Sequence, residues 1–348
     1  MAEAPEPALL TLTLTPLRND PRARRAVDAA RAADIRTACR SGHAPTGRGG
    51  RRRETARELR GVIRLLRLLR RTWSLLGGPT EELRPTLVHA HDLDTLPAAF
   101  VLARRYGARL VYDAHELYTG FDADPPRLWL AIVRRLEGAL TRRAHAVVTV
   151  SDEIADRLVA LHGLDRRPYV VLNAPPLSRL HVTERRGPLR AIYQSATGPG
   201  RHLGDLPSLP DVEISARVLG ATAAPPHVRL LEPVPPDELV PALAEFDVGL
   251  VIDRAETENA RLALPNKLFE YLMAGLAVVV PEAPAMASLV NREGVGRTFR
   301  PGRLGDVLKE LAADRAAVEA MRRRARAVAV ERYNAEAQRP ALYAAWGL

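Results

Sequence analysis

Apolar positions along this chain follow two alternating rhythms. Short, nearly continuous apolar runs bounded by Gly, Pro or charge predict buried strands. Longer segments with apolar residues three or four apart predict helices between them. The first half reads as strands at 9–15 (LLTLTLT), 86–92, 108–116 and 144–151. Helices fall at 22–33, 95–107 and 127–142, with another after the capping Ser151, and an extended run at 169–176 ends the half. Residues 174–188, APPLSRLHVTERRGP, interrupt the rhythm with proline and charge. A second set follows. It has strand-like runs at 189–196, 212–220, 227–234 and 247–253, a helix at 236–245, the stretch ALPNKLFEYLMAGLAVVV at 263–280, and an arginine-rich helix over roughly 306–332.

Strands that alternate with helices predict parallel sheets and an α/β fold. The expectation is two Rossmann-like domains, at 1–176 and 189–325, joined by a linker at 177–188 and followed by a helix and tail at 326–348. Ligands in such folds bind outside the carboxyl ends of the strands, so a cleft between two facing domains is the expected site.

Composition changes this picture little. The chain has 348 residues, 47% hydrophobic and 26% charged, the balance of an ordinary globular protein. Cys39 is its only cysteine, which excludes an internal disulfide and fits a reducing compartment. The start is acidic and lacks the basic segment and apolar core of a signal peptide. No apolar run approaches the roughly 18 residues that span a bilayer. The expectation is a cytoplasmic, soluble chain.

Charge changes it more. Residues 48–71 hold ten arginines against Glu54 and Glu58, most of the net +10. Within this segment Arg57, Arg60, Arg64, Arg67 and Arg71 share one helical face, and Leu59, Val62, Ile63, Leu66 and Trp73 share another. The simplest reading sets the apolar side on the domain core and the arginines in solvent. The alternative is peripheral contact of 51–73 with an anionic membrane, on its inner face. Nucleic acid is not expected, because no reading motif accompanies the basic stripe.

Candidate chemistry concentrates in 263–280. Pro265 suits a first helical turn, Leu268, Phe269 and Leu272 share an apolar face, and Gly275 can end the helix before a buried AVVV strand. Glu270 lies off that face, near a helix N-terminus that attracts anions, and Lys267 adds a point charge suited to phosphate. A solvated glutamate in a first turn is the plain alternative. In HAHDLD, His89 and His91 share a strand face and Asp92 and Asp94 form a D-x-D. A closed zinc site needs further ligands that the sequence does not suggest, so no metal is expected.

ALPNKLFEYLMAGLAVVV resembles the donor-site helix of family-4 glycosyltransferases of GT-B fold, enzymes that use nucleotide sugars with retention of configuration. LRAIYQSATGPGRHLGDL resembles the strand and Gly-rich turn that open their C-terminal domain. EFDVGLVI and GVGRTFRPGRLGDVLKEL resemble the segments flanking the helix. TPLRNDPRARRAVDAARAAD, LVHAHDLDTLPAAFVLARRYGARLVYDAHELY, VVTVSDEIADRLVALHGL and VVLNAP appear in the family's order. Only residues 36–84 lack a counterpart.

The resemblance implies a transferase that moves a sugar from a nucleoside-diphosphate sugar to a hydroxyl acceptor: a glycan, a lipid-linked precursor or a natural product. It implies no cofactor besides the donor. The N-terminal domain would hold the acceptor and the C-terminal domain the donor. By position, Glu270 would bind the ribose hydroxyls. Arg201, after the Gly198–Pro199–Gly200 turn, would neutralise the diphosphate, with Lys267 sharing the charge and Asn266 beside it. His115 matches the catalytic histidine beside the reacting sugar, with Asp113 and Glu116 orienting groups there, and Asp92 and Asp94 face the acceptor. Two family features are replaced. Leu262 stands where many members carry an earlier glutamate, and HLGDLP (202–207) lacks a following lysine. These replacements are the basis of the alternative function, a weakened homologue that binds nucleotide sugar or partners another transferase.

Overall fold

The computed structural model describes residues 6–42, 57–77, 83–180, 183–195 and 202–348. The chain forms two compact units. The N-terminal unit is Met1–Val171 with Thr257–Asn259 and Arg339–Leu348; the second is Leu172–Glu256 with Ala260–Gln338. Each is built on a six-stranded, wholly parallel sheet, so the α/β expectation holds.

The N-terminal unit runs β1 (Ala8–Thr13), α1 (Pro21–Arg31), β2 (Arg36–Ser41), α2 (Arg57–Leu76), β3 (Leu87–His91), α3 (Leu96–Tyr106), β4 (Arg109–Ala114), α4 (Arg127–Thr141), β5 (Ala146–Thr149), α5 (Asp152–His162) and β6 (Tyr169–Val170). Its strand order is β2-β1-β3-β4-β5-β6. Every residue of β1 and β3 is buried, as expected of strands covered on both faces. Asp20 caps α1 by accepting from the Ala23 N–H at 3.0 Å, with Pro21 at the first helical position, and Ser151 caps α5 the same way at 3.1 Å. Strand β2 was not anticipated. Its sequence, RTACRS, carries little apolar signal, and it pairs with β1 at the sheet edge, where polar side chains are tolerated.

The second unit runs β7 (Leu189–Ser195), β8 (Val212–Val218), β9 (Val228–Leu230), α6 (Leu239–Leu243), β10 (Val248–Leu250), α7 (Glu258–Leu262), α8 (Asn266–Ala274), β11 (Ala277–Pro281), α9 (Pro284–Glu293), β12 (Gly296–Phe299), α10 (Leu304–Ala313) and α11 (Arg315–Glu331), in the order β12-β11-β10-β7-β8-β9. The helix and strand expected in 263–280 are α8 and β11, divided by Gly275 at φ 74°, a left-handed conformation that glycine adopts without strain. The single helix expected over 306–332 is two. Asp314 accepts from the Ala317 N–H and starts α11 afresh. A last helix, α12 (Ala335–Trp346), begins in the second unit and ends in the first, where Leu342, Ala345 and Trp346 join Leu9, Val111 and Val148 in the core.

Helix α2 reverses the simpler expectation for its orientation. Its inward stripe is Gly61, Arg64, Leu68, Arg71 and Leu75. Gly61 lets the backbone approach Pro126 and Trp129 of the α4 region, Leu68 and Leu75 are buried, Arg64 pairs with Asp122 at 2.5 Å, and Arg71 with Asp94 at 2.7 Å. Leu59, Val62, Leu66 and Trp73, expected on the core, are exposed. The sequence carries apolar residues on both sides of this helix, and the two buried leucines, not the longer stripe, seat it. No described helix is long and apolar enough to cross a membrane.

Candidate functional site

In the second unit the strand order reverses between β7 and β10, the point at which such sheets open a crevice at their carboxyl ends. Tyr271 fixes α8 there. Its buried hydroxyl accepts from the Gln194 N–H of β7 at 3.0 Å and donates to the Leu250 carbonyl of β10 at 3.2 Å. Its ring lies over Gly249, where a Cβ would come within 2.3 Å of it. With α8 so held, half-buried Glu270 accepts from the Gln194 side-chain amide at 2.5 Å. Lys267 donates to Asp253 at 2.5 Å, its Nζ 5.0 Å from the centre of the Tyr193 ring. Asn266, also half-buried, is the first residue of α8. Gly198, Gly200 and Arg201 lie outside the described residues.

In the N-terminal unit a second cluster forms where β3 and β4 end. The register sets His91 opposite Asp113. Asp113 is buried, and Arg22 of α1 spans both its oxygens, Nε to Oδ2 at 2.8 Å and Nη2 to Oδ1 at 2.6 Å, while Nη1 donates to the Val171 carbonyl at 2.8 Å. After β3 the chain turns at Asp92, φ 67°, a turn secured by the Asp92 N–H on the Asp113 carbonyl and by Thr95 Oγ1 on the His91 carbonyl. This turn points Asp92 at His115. The His115 ring lies between two carboxylates, Nδ1 3.3 Å from Asp92 and Nε2 3.5 Å from Asp113, with His91 Nδ1 3.0 Å from Nε2. Asp94 is taken by Arg71 and, at 3.4 Å, by the Tyr118 hydroxyl. Glu116 accepts from the Asn259 amide, whose oxygen accepts from the Leu117 N–H at 2.7 Å.

The electrostatics sort these histidines. Burial opposes charge on His115, but Asp92 and Asp113 outweigh it and push its pKa up to about 10, so the ring is a cation at neutral pH. Burial lowers His89 to about 4 and holds His91 well below the usual range, so both are neutral. His115 therefore donates from Nε2 to the free lone pair of His91 Nδ1. Burial also works against the Asp113 charge, yet Arg22 and His115 hold its carboxyl well below the usual carboxylate range. Burial pushes Glu116 up. His89, His91 and Asp113 offer ligand atoms within 4.8 Å of one another, types that bind divalent ions. Here the guanidinium of Arg22 and the imidazolium of His115 already occupy the Asp113 carboxylate, and a dication there would meet two positive charges.

Thus His115, Asp92, Asp113 and the His89–His91 pair form one group, with Glu116 and Asp94 beside it on separate partners. Glu270, Lys267 and Asn266 share α8. Sequence reasoning missed Arg22, Asn259, Gln194 and Asp253. Arg22 sits in a run of arginines, and its partner is 91 residues away, so no local signal marks it. Gln194 stands one residue before the end of β7, and a polar residue near the end of a buried strand is a signal that was available.

Residues 16–179 match the model of Glycosyltransferase Family 4, and residues 202–341 match a model described as glycosyl transferase-like. No curated protein matches the chain in sequence. Among solved structures, sucrose-phosphate synthase from Thermosynechococcus elongatus superposes with a TM-score of 0.68 at 12% identity, covering 96% of this chain and 97% of that one. Alr3699/HepE of Anabaena, solved in complex with UDP-glucose, gives 0.65 at 14% identity, covering 97% and 98%. The glycosyltransferase SnogD from Streptomyces nogalater gives 0.58 at 15% identity, covering 98% and 100%. At these identities the likeness speaks for the fold, two parallel sheets in GT-B architecture.

Proposed function

We propose, from the premise that this chain belongs to the family-4 glycosyltransferases of GT-B fold, that it transfers a sugar from a nucleoside-diphosphate sugar to a hydroxyl acceptor, with retention and without a metal. The observation that carries this reading is the placement of Glu270: half-buried, aimed by Gln194, at the carboxyl ends of β7 and β10. There its carboxylate accepts hydrogen bonds from the ribose hydroxyls. HepE, of the same fold, is solved with UDP-glucose, which supports a nucleotide sugar as donor.

Glycosyl transfer builds positive charge on the sugar ring and negative charge on the leaving diphosphate. Lys267 answers the second need by exchanging Asp253 for phosphate, and Arg201 is the further cation. Losing one such charge costs on the order of 2.7–4 kcal/mol of transition-state stabilisation, the magnitude of a lost oxyanion donor. His115, a cation in its resting state, is suited to donate to a substrate oxygen and is a poor general base. The acceptor proton therefore goes to the donor phosphate. Asp92 and Glu116 contact the acceptor hydroxyl, and Asp94 braces that loop through Arg71.

The test is a panel of UDP-, GDP- and dTDP-sugars assayed for transfer and donor hydrolysis, with and without chelator. Turnover of one donor that chelator leaves unchanged is the expected result. Nucleotide binding without turnover of any donor would favour the weakened homologue instead.

A further inference from the structure

The geometry points to α2 as a docking surface for an anionic lipid membrane. Its outward stripe is Leu59, Val62, Leu66, Leu69 and Trp73, spaced alternately three and four residues apart along one side of a 20-residue helix. Their exposures are 50, 40, 60, 49 and 75%. A lone exposed leucine is ordinary; five large apolar side chains in one row are an interaction surface.

Charge identifies the occupant. Arg67 and Arg70 are exposed beside the row, and residues 59–76 contain no acidic residue. An apolar stripe flanked by arginine and carrying an exposed tryptophan is the composition of a helix that lies in the lipid interface, its apolar side among acyl chains and its cations on anionic headgroups. A protein partner of complementary shape would also cover the leucines, but nothing about it would call for cations without a single acid from residue 59 to 76. The helix is held rigidly for this task. Arg64 and Arg71 are turned inward onto Asp122 and Asp94, and Gly61, Leu68 and Leu75 close the seam, so the stripe is presented preformed. Arg71 joins the docking helix directly to Asp94, so a lipid-borne hydroxyl acceptor is the class that membrane docking would serve; this last step alone rests on the transferase reading.

The test is flotation of the full chain with phosphatidylcholine vesicles and with vesicles containing phosphatidylserine or phosphatidylglycerol. Of the three tryptophans, Trp129 and Trp346 are buried, so quenching by brominated lipid reports Trp73. Binding to anionic vesicles, weakened by salt and accompanied by quenching, is expected. Leu66→Ser with Leu69→Ser should lower the partition coefficient at least tenfold. Arg67→Gln and Arg70→Gln should each lower it about fivefold, the factor corresponding to about 1 kcal/mol per basic residue near an anionic surface. Nucleotide binding and circular dichroism of the same variants check that the fold persists. No vesicle binding, binding that the serine variants leave unchanged, or a concentration-dependent dimer that they dissolve would each overturn the proposal. The vesicle readout is independent of turnover, so failure of the donor panel leaves it standing.

Discussion

In the N-terminal unit the charged groups are turned on one another. Arg22 spans Asp113, His115 lies between two carboxylates, and two neutral histidines fill the space beside them. In the second unit they share a single helix at the open end of the sheet: Glu270 is half-buried and accepts from the Gln194 amide, and half-buried Lys267 donates to Asp253. The first arrangement pairs its charges with one another before any ligand arrives, although His89 Nδ1 and Nε2, His91 Nε2 and Asp92 Oδ1 are buried without a hydrogen-bond partner, so its residues serve the fold as much as the chemistry. The second is half-exposed, so its residues can exchange partners with a ligand. A polar group that is buried and paired costs stability when its partner goes, whereas one at a half-exposed site costs affinity.

The largest effect expected from this contrast is in Asp113→Ala. It leaves the Arg22 guanidinium buried without its carboxylate, and unfolding by urea at neutral pH should register a loss of about 3–5 kcal/mol. A loss below 1 kcal/mol would mean that the cluster is not structural. Next comes pH. His89 is neutral in the fold and titrates freely when unfolded, so its contribution is present above pH 6.5 and lost as pH falls toward 4, on the order of 3 kcal/mol at 1.36 kcal/mol per tenfold change in proton affinity. His115 has the opposite sign. Its contribution is complete below pH 6.5 and lost as pH rises to about 10. Stability measured from pH 4 to 10 should therefore fall at both ends, and His89→Gln should remove part of the acid limb.

Glu270→Ala is the counterpart in the second unit. Nucleotide affinity by calorimetry should weaken about 10- to 100-fold, as for hydrogen bonds to a charged group, while stability changes by no more than about 1 kcal/mol. A variant that unfolds instead would erase the distinction drawn between the clusters. Gln194→Leu is the finest probe. It removes that amide from a charged Glu270, and a loss of about 1 kcal/mol, roughly fivefold in affinity, is expected.

What was legible in the sequence follows the same division. Helix α8 announces itself through Pro265, its apolar spacing and Gly275, all within one stretch, so Glu270 and Lys267 were named from local signals and a resemblance. Most strands of both sheets were legible because burial on two faces demands continuous apolar runs; edge strands β2 and β12 were not. Arg22 and Asn259 were not, because each acts on a residue more than 90 positions away and nothing near it records the pairing. Strand β2 was hidden by its polar edge sequence. The orientation of α2 was hidden for another reason. Period tells which residues share a side, but when both sides carry leucine only tertiary packing decides which is buried.

Trp346 lies at the end of α12, fully buried in the N-terminal unit, its ring edge-on to His89 at 6.0 Å. The unit that leaves the ribosome first thus lacks part of its own core until residue 346 has been made. At 5–20 residues per second, the stretch from 171 to 346 takes roughly 10–35 s to synthesise. For that interval the nascent N-terminal unit must persist with an apolar gap beside its histidines, exposed surface of the kind that chaperones shield.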